Sequence, residues 1–350
     1  MKLTKKIVKL LYSVALLFFI LTALLDPAFV KKSNAGSSGD ALYYFSGFVM
    51  GVKVEMTLRG SDEANLKKSS DNAFSVMKQL DEKLSNWKEE SEISLLNLAD
   101  AGEWIKVSND LFEVLASGNE LSEKTGGAFD TTVGRLLELW DFYGRNPVVP
   151  EQSEIKKALE YVDYHLIRLD KKTSSVKLMK KGVKIDLGGI AKGYIMKKGY
   201  EVLRKEGIDA GLLNCSGDIY VWGGKPGGEL WSIAIRNPFN TEKPFAVISV
   251  TDTAVFTSGN YERGFESGGR KYHHILDPRT GMSADKCSGV TVIGSNIDDV
   301  NALSSSLFIM GPVEGKAFAE ELKGVEAVFF SVDGSAVLTG GFKKEFIDRD

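Results

Sequence analysis

The sequence runs Asp186-Leu187-Gly188-Gly189-Ile190-Ala191-Lys192-Gly193 at the point where a short apolar stretch gives way to a helical pattern. The first N–H groups of a helix lack partners and its dipole is positive there, so phosphate binds readily at such a point. Glycine also lets a ligand approach the backbone, because it has no Cβ. The spacing matches neither a P-loop nor GxGxxG. These residues alone leave two interpretations open, a phosphate or nucleotide site and an ordinary strand–helix turn.

The composition is that of a folded protein with an acidic body. The chain has 350 residues, 43% of them hydrophobic and 26% charged, which is enough for one large domain or two ordinary ones. The formal net charge is −3, and the first 35 residues hold six lysines beside a single acid. The rest is therefore distinctly negative, which argues against nucleic acid as a partner. A small anionic ligand would still bind at a local site, with a metal ion to offset its charge.

Residues 1–35 have the pattern of a targeting segment. Four lysines precede an uncharged, mostly apolar run over 10–25, which is short for spanning a bilayer. Ser33-Asn34-Ala35 fits the small-x-small rule for signal cleavage. A cleaved signal peptide and a retained membrane anchor both remain open, and both predict an extracytoplasmic body on the periplasmic side of the cytoplasmic membrane. Residues 36–42 are expected to form a linker, and 43–350 the functional domain.

The two cysteines and the histidines carry little metal chemistry. Cys215 and Cys287 are predicted to be buried free thiols, although an oxidising compartment would permit a disulfide. There is no CxxC motif or His/Cys cluster, and the chain has only three histidines. The sequence therefore does not indicate a zinc site.

Apolar periodicity predicts an α+β fold, because helices are inserted among strands without regular βαβ alternation. We expect a single large domain with a mixed, mainly antiparallel sheet and inserted helices. Residues 43–58 read as one strand, and a C-terminal hairpin is predicted to turn at Asp333-Gly334. Helices are predicted over 61–85, 110–124, 151–161, 190–206, 298–310 and 313–322.

Three further stretches carry candidate chemistry. Residues 274–281 place His, Asp, Arg and Thr in a Pro-Gly turn, which is more typical of a site than of a scaffold. Residues 257–263 form a second polar turn, whose alternative is a solvated hairpin loop. On the helix that follows, Asp298, Asn301 and Ser305 lie on one face. Such an oxygen-only set suits Mg²⁺, with an ordinary N-cap as the alternative.

Seven motifs in order along the chain resemble those of the FAD:protein FMN transferases, the ApbE-type flavin transferases. The resemblance begins near Tyr43, covers nearly the whole body and implies a T-fold-like α+β domain. The motifs are SNWKEESEISLLN at 85–97, GGAFDTTVGRLLELW at 126–140, DLGGIAKGY at 186–194, NCSGDIYVWG at 214–223, TSGNYER at 257–263, HHILDPRTG at 273–281 and NALSSSLFIMG at 301–311.

The resemblance implies an enzyme that binds FAD, uses Mg²⁺ and cleaves the pyrophosphate. It would place FMN on a Thr or Ser hydroxyl of an acceptor protein, expected to be a membrane redox protein, and release AMP. Catalytic roles would fall to Asp186, Lys192 and His274, with Asp277 shaping the pocket. Mg²⁺ would bind the Gly189 carbonyl and the side chains of Asn301 and Ser305. The expected contacts to FAD are Met50, Trp87, Ala128, Phe129, Asp130, Asp186, Lys192 and Ile275.

The chemistry of these residues agrees in kind with phosphoryl transfer, which needs positioning and charge stabilisation. Lys192 would offset charge on the pyrophosphate. Asp186 would accept a hydrogen bond from the cofactor or assist the incoming hydroxyl. Trp87 suits stacking on a flat ring system, with a core tryptophan as the alternative.

The chain departs from the family pattern at the proposed metal helix. Its sequence from Asn301 is Asn-Ala-Leu-Ser-Ser-Ser, where the family usually has Asp-Ala-Leu-Ala-Thr-Ala. Asparagine supplies a neutral oxygen in place of a carboxylate, so Mg²⁺ should bind more weakly. Ser305 keeps the hydroxyl, and Asp298 is a candidate to restore the charge. Ser216 and Asn260 also replace a usual Gly and a frequent Asp.

Three functions remain open at this point. The first is an active Mg²⁺-dependent FMN transferase, which the intact motifs around Asp186, Lys192 and His274 favour. The second is a hydrolase that splits FAD into FMN and AMP with water as the acceptor. The third is a non-catalytic extracytoplasmic flavin-binding protein in which Asn301 has weakened the metal site.

Overall fold

The structure is a computed structural model that describes residues 39–142, 144, 147–240 and 242–342. The predicted targeting segment 1–35 and residues 36–38 of the predicted linker lie outside these residues. The first strand begins at Ala41, so regular structure starts within the predicted linker. Among the described helices, none is long and apolar enough to cross a membrane.

The fold is built on a large sheet in which every neighbouring pair of strands is antiparallel. Its spatial order is β1-β2-β6-β7-β10-β13-β14-β15. The α+β prediction with a mainly antiparallel sheet is therefore confirmed. The strands are β1 Ala41–Val49, β2 Val52–Gly60, β6 Gly211–Cys215, β7 Asp218–Trp222, β10 Thr253–Gly259, β13 Cys287–Gly294, β14 Glu326–Ser331 and β15 Ala336–Leu338.

Three small sheets surround the large one. They pair β3 (Ile105–Lys106) and β4 (Ile167–Asp170) with β5 (Ser175–Leu178), β8 (Trp231–Ile235) with β9 (Ala246–Val250), and β11 (Gly264–Ser267) with β12 (Arg270–His273). The β8–β9 pair covers one face of the large sheet, because Ile233 and Ile248 pack with Val255 and Phe330 in one apolar cluster. Strand β13 is thereby buried along its whole length.

The other face of the large sheet carries the long helices. The helices are α1 Glu63–Leu84, α2 Glu92–Leu96, α3 Asn109–Lys124, α4 Gly134–Trp140, α5 Gln152–Leu159, α6 Ala191–Lys205 and α7 Ile297–Glu321. Helix α6 packs between α1 and α7, and α7 lies on β10, β13 and β14. Helix α1 buries Phe74, Met77 and Leu80 at helical spacing, as its periodicity predicts.

A third apolar cluster supports the turn at 274–281. Trp140, at the end of α4, packs with Phe142 and with Tyr272 of β12. Its indole Nε1 donates a hydrogen bond to the Gly281 carbonyl at 2.9 Å. A buried tryptophan needs such a partner for its N–H. The polar turn is therefore tied to a hydrophobic anchor rather than left on a free loop.

One predicted element is wrong, and two other predictions are confirmed. The single strand predicted over 43–58 is wrong, because Met50 and Gly51 both adopt positive φ and turn the chain into the β1–β2 hairpin. The predicted break between the last two helices is present within α7, where Gly311 has non-helical backbone angles before Pro312. The two cysteines are free and buried, which confirms the thiol prediction.

The contact between α6 and α7 generates a stability prediction at Gly193. A Cβ there would lie 2.6 Å from Asn301 Cβ and 2.9 Å from the Ile297 carbonyl oxygen, both on a rigid helix. We expect Gly193→Ala to lower the free energy of unfolding in urea by about 1–3 kcal/mol, because the helices must separate.

Gly199 on the same helix provides the matched control. Its added Cβ would meet the unbranched side chain of Met77, with Sδ at 2.7 Å and Cγ at 2.9 Å, which can shift more easily than a helix backbone. Alanine is also the better helix former by about 1 kcal/mol. We therefore expect Gly199→Ala to retain wild-type stability within about 1 kcal/mol. Equal losses in the two variants would contradict this account of the α6–α7 contact.

Candidate active site

A cleft of about 580 Å³ lies where the N-terminus of α6 meets the large sheet and α7. All twelve predicted site residues line it, although they come from segments spread over most of the chain. They are Met50, Trp87, Ala128, Phe129, Asp130, Asp186, Gly189, Lys192, His274, Ile275, Asn301 and Ser305. The structure therefore brings the candidate residues together in one place.

The segment before α6 is held extended by two asparagine side chains. The Ile185 carbonyl accepts hydrogen bonds from Asn86 Nδ2 at 2.6 Å and from Asn97 Nδ2 at 2.8 Å. The Ile185 N–H donates to Asn97 Oδ1 at 2.7 Å, and the Leu187 N–H to Asn86 Oδ1 at 3.2 Å. These amides do what a neighbouring strand would do, since buried backbone groups need partners. This explains the two asparagines of the 85–97 motif.

Asp186 is directed into the cleft by this arrangement. Its backbone N–H donates to the Thr131 carbonyl at 2.7 Å, and its Oδ1 accepts from the Gly188 N–H at 2.8 Å. Burial raises the pKa of Asp186, and the Gly188 hydrogen bond opposes only part of that shift. The carboxyl group is therefore poised to exchange a proton with a ligand more readily than an exposed aspartate.

Lys192, the second residue of α6, forms a salt bridge with Asp218 at the start of β7. The distance from Nζ to Oδ2 is 2.8 Å, and Asp218 Oδ1 also accepts from the Thr257 N–H at 3.1 Å. Burial lowers the pKa of Lys192, but the Asp218 carboxylate outweighs burial and the pKa is raised. Lys192 is therefore charged at neutral pH.

Asp218 is a site residue that the sequence interpretation missed. It lies in the cleft and is buried, and it fixes the position of the Lys192 ammonium group. The available signal was its place after the Ser216-Gly217 turn, within the 214–223 motif. Nothing local in that turn indicates a partner 26 residues earlier in the chain.

Gly189, Asn301 and Ser305 meet at the contact between α6 and α7. A Cβ on Gly189 would lie 4.0 Å from Ser305 Oγ and 3.0 Å from the Phe129 ring. Asn301 Oδ1 accepts from the Gly193 N–H at 2.8 Å. The corner thus gathers neutral oxygen atoms, the Ser258 hydroxyl among them, 3.4 Å from Ser305 Oγ. Among the residues that the structure describes, no group of three His, Cys, Asp or Glu residues could hold a metal ion.

Two aspartates that were considered for the site lie outside the cleft lining. Asp298 pairs with Lys197 Nζ at 2.6 Å, so its carboxylate neutralises a lysine of α6 instead of supplying charge beside Asn301. It is also not the helix cap, since Asn296 caps α7. Asp277 binds the side chain of Arg279, with Oδ1 2.9 Å from Nε, and thereby shapes the turn next to the cleft.

The expected flavin contacts differ in exposure. Met50 lies in the β1–β2 turn, whereas residues 128–130 are buried after the Gly126-Gly127 end of α3. Both Asp130 carboxylate oxygens accept backbone N–H groups, from Thr132 and Tyr164 at 2.8 Å each. Trp87 is 68% exposed at the cleft, which excludes the core-tryptophan alternative.

His274 follows β12 and reaches the cleft beside Ile275. Its Nδ1 lies 3.3 Å from the Arg263 carbonyl oxygen, which can only accept, so Nδ1 carries the hydrogen and Nε2 is free to take a proton. Burial lowers the pKa of His274 despite that carbonyl. The imidazole is therefore neutral at pH 7 and able to act as a base.

A further set of cleft residues lies on the β side, and Arg236 among them falls outside the stretches that the sequence singles out. Of the two alternatives for residues 257–263, the site turn fits the structure better than the solvated loop, because Thr257 and Ser258 at the end of β10 line the cleft. Arg236, after β8, lies over the Tyr261 ring and pairs with Glu262 at 3.6 Å. No local pattern predicts that Arg236 meets the end of β10, because the two come from separate strands.

The amino-acid sequence matches the ApbE family over residues 50–329. The chain belongs to the ApbE family. The family resemblance drawn from the motifs is therefore confirmed over most of the chain.

Relatives in this family carry transferase names. A FAD:protein FMN transferase of Treponema pallidum is 32% identical over 285 residues, which cover 77% of this chain and 79% of that protein. A FAD:protein FMN transferase of Klebsiella pneumoniae is 29% identical over 317 residues, or 89% of this chain and 96% of that protein.

Solved ApbE structures share the fold. The ApbE protein of Thermotoga maritima has a TM-score of 0.81 at 32% identity, covering 88% of this chain and 100% of that one. The apo form of the flavinyl transferase ApbE of Pseudomonas stutzeri has a TM-score of 0.80 at 28% identity, covering 89% and 98%. The individual roles expected for the cleft residues of this chain stay predictions.

His273, next to the candidate base, generates a prediction of pH-dependent stability. It is buried, with Nε2 2.7 Å from the Ala284 carbonyl, and burial lowers its pKa to about 4. The unfolded chain binds this proton near pH 6.5. The neutral His273 therefore makes its full contribution to the free energy of unfolding above pH 6.5. That contribution is lost as the pH falls toward 4, by roughly 3 kcal/mol in all.

The comparison variant is His273→Gln, which stays neutral at every pH. We expect urea unfolding between pH 7 and pH 4 to show a smaller loss of stability in this variant than in the wild type. The difference between the two curves isolates His273 from the other titrating groups. Parallel curves would show that the imidazole is not held neutral in the folded state.

Proposed function

We propose that this protein transfers FMN from FAD to a Ser or Thr hydroxyl of an acceptor protein, in a Mg²⁺-dependent reaction that releases AMP. The observation that carries the proposal is that Asp186 and His274 line the same cleft as Lys192 at the N-terminus of α6. A helix N-terminus, a charged lysine and neutral hydrogen-bonding groups are what a pyrophosphate substrate requires. The names of the relatives support the same activity.

The proposed step is a displacement at the phosphorus of the FMN half of FAD. The acceptor hydroxyl oxygen forms a new P–O bond as the bond to the bridging oxygen breaks. That oxygen leaves with its electron pair as part of AMP, and the hydroxyl proton passes to a group in the cleft. His274 and Asp186 are the two groups whose shifted pKa values suit them to accept it. Lys192 would hold the pyrophosphate by charge.

The residues at the α6–α7 corner fit a hard cation in the type of donor but not in charge. The Gly189 carbonyl, Asn301 Oδ1 and Ser305 Oγ are oxygen atoms, which Mg²⁺ prefers, yet all three are neutral. Asn301 Oδ1 keeps one lone pair free beside the Gly193 hydrogen bond. These residues would hold Mg²⁺ only with help from substrate charge. Bound Mg²⁺ would neutralise the pyrophosphate and stabilise the departing phosphate.

The place of action that we propose is the extracytoplasmic face of the cytoplasmic membrane, with the N-terminal segment as signal or anchor. What supports this is the lysine-rich start followed by an apolar run in 1–35. The acceptor that we propose is a membrane redox protein. That part of the proposal comes from the family resemblance alone.

The transferase function is tested with the full-length protein in detergent, FAD, Mg²⁺ and a pooled library of decapeptides that each contain one threonine. We expect mass spectrometry to find FMN on peptides, with AMP released in equal amount. A library with valine in place of threonine keeps the side-chain shape but lacks the hydroxyl, so it should remain unmodified. Lys192→Met should lower the transfer rate about 100-fold, because it removes charge beside the pyrophosphate.

The same experiment separates the alternatives. Free FMN and AMP with unmodified threonine peptides would support a FAD pyrophosphatase. Tightly bound FAD with neither product would support a flavin-binding protein without turnover. Either result would contradict the transferase proposal.

The neutral cation corner generates a binding prediction at Asn301. We expect Asn301→Asp to lower the dissociation constant of Mn²⁺, used as a paramagnetic probe, by about tenfold in the FAD-loaded protein, because a carboxylate adds charge. Electron paramagnetic resonance of free Mn²⁺ measures this without turnover. Asp298→Asn is the control, because its carboxylate faces Lys197 and not the cleft. If Mn²⁺ instead binds more weakly in Asp298→Asn and with unchanged affinity in Asn301→Asp, the cation lies at Asp298.

A further inference from the structure

The cleft continues past Lys192 into a second half. None of the residues that line this half is among those expected to bind FAD or Mg²⁺. Its walls come from β structure: residues 216–219, 233–236, 257–259 and 261–263. The two halves meet at the Lys192–Asp218 pair. A reaction with two substrates needs room for both, and the residues expected for FAD line the helical half.

One wall of this half is an unpaired edge of strand β8. Within the described part of the chain, β8 pairs only with β9. The Ile235 carbonyl accepts from the Phe245 N–H on the β9 side at 2.8 Å. Backbone groups alternate in direction along an antiparallel strand, so those of Ser232 and Ala234 point to the opposite edge. No other described strand pairs with that edge, so its donors and acceptors are available beside the cleft.

The β8 edge lacks the features that usually protect an edge strand. It contains no proline and no charged residue between Trp231 and Ile235. Its exposed side chains are Ser232 and Ala234, which are small enough for another strand to approach. Leu230 and Phe239, on either side of β8, are 45% and 50% exposed.

Strand β8 runs toward the candidate catalytic residues of the cleft. Trp231, at the start of β8, donates its indole N–H to the carbonyl of Gly223 beyond the end of β7, at 3.0 Å. At its other end, Arg236 lies over Tyr261 in the cleft. A segment paired along β8 therefore runs from the surface toward Asp218, Lys192 and His274.

We propose that the β8 edge docks an extended segment of the acceptor protein by strand addition and delivers its Ser or Thr hydroxyl to the cleft. This docking site rests on the proposed transferase function. An extended segment is narrow enough to place a side-chain hydroxyl inside the cleft. Main-chain hydrogen bonds supply the affinity in strand addition and demand little of the side chains.

The test uses a threonine decapeptide that the full-length wild-type protein labels with FMN. Ala234→Pro removes the outward N–H of β8 without touching the ladder to β9. We expect it to raise KM for the peptide about tenfold and to leave the FAD dissociation constant unchanged, because one hydrogen bond and the close approach are lost. The matched control is Ser249→Pro, which makes the same change on the outer edge of β9, away from the cleft. It should retain the wild-type KM.

A second measurement does not depend on the stability of a proline variant. Addition of the peptide to the wild-type protein should slow hydrogen exchange at the amides of Ser232 and Ala234. A peptide with N-methylated backbone amides keeps its side chains but cannot pair as a strand, so it should bind at least tenfold more weakly.

The outcomes distinguish this docking site from the function on which it rests. A wild-type protein that labels no peptide overturns the transferase function and the docking site together. A labelled peptide with unchanged KM in Ala234→Pro and no protection at Ser232 and Ala234 overturns the docking site alone. Equal losses in Ala234→Pro and Ser249→Pro would also overturn it, since the effect would then belong to the hairpin as a whole.

Discussion

The close contact of α6 with α7 at Gly193 is the constraint on which the rest of the site depends. The Gly193 N–H is one of the groups that a helix leaves unpaired near its start, and Asn301 Oδ1 accepts it at 2.8 Å. Because position 193 has no side chain, the two helices approach until Asn301 packs on the α6 backbone. That approach brings Gly189 next to Ser305 and turns Lys192 toward Asp218. The proposed cation ligands and the lysine proposed to hold the pyrophosphate therefore depend on one helix–helix contact.

The long helices were predictable because their apolar periodicity is local. The structure has α1, α3, α5 and α6 within a few residues of the predicted bounds. The hairpin of β11 and β12 was missed because most of its residues are exposed and show no alternation of apolar and polar side chains. Helix α4 was missed because it is short and its N-cap residue, Val133, makes no side-chain capping hydrogen bond. Each miss occurs where tertiary packing, not local pattern, stabilises the element.

The candidate site was predictable within motifs and not between them. Spacing along a helix places Asn301 and Ser305 on one face, and the strand–helix turn places Asp186 near Lys192. That these two groups share one cleft followed from the family resemblance, since nothing local in either motif indicates the other. The Asp218 partner of Lys192 and the paired amides of Asn86 and Asn97 depend on contacts between distant segments. Single-sequence reasoning has no signal for such contacts.

The charge balance of the cleft explains why a cation and a bound pyrophosphate would need each other here. The charge of Lys192 is offset by Asp218. Among the described residues, no lysine or arginine forms a salt bridge with Asp186, whose carboxylate accepts a hydrogen bond from the Gly188 N–H. The N-terminus of α6 contributes only a partial positive charge. A pyrophosphate beside Lys192 would thus meet a positive charge that Asp218 already offsets, and a divalent cation at Gly189, Asn301 and Ser305 would meet only neutral oxygens. Each would supply the charge that the other lacks, so asparagine at 301 ties cation binding to the presence of the substrate more strongly than a carboxylate would.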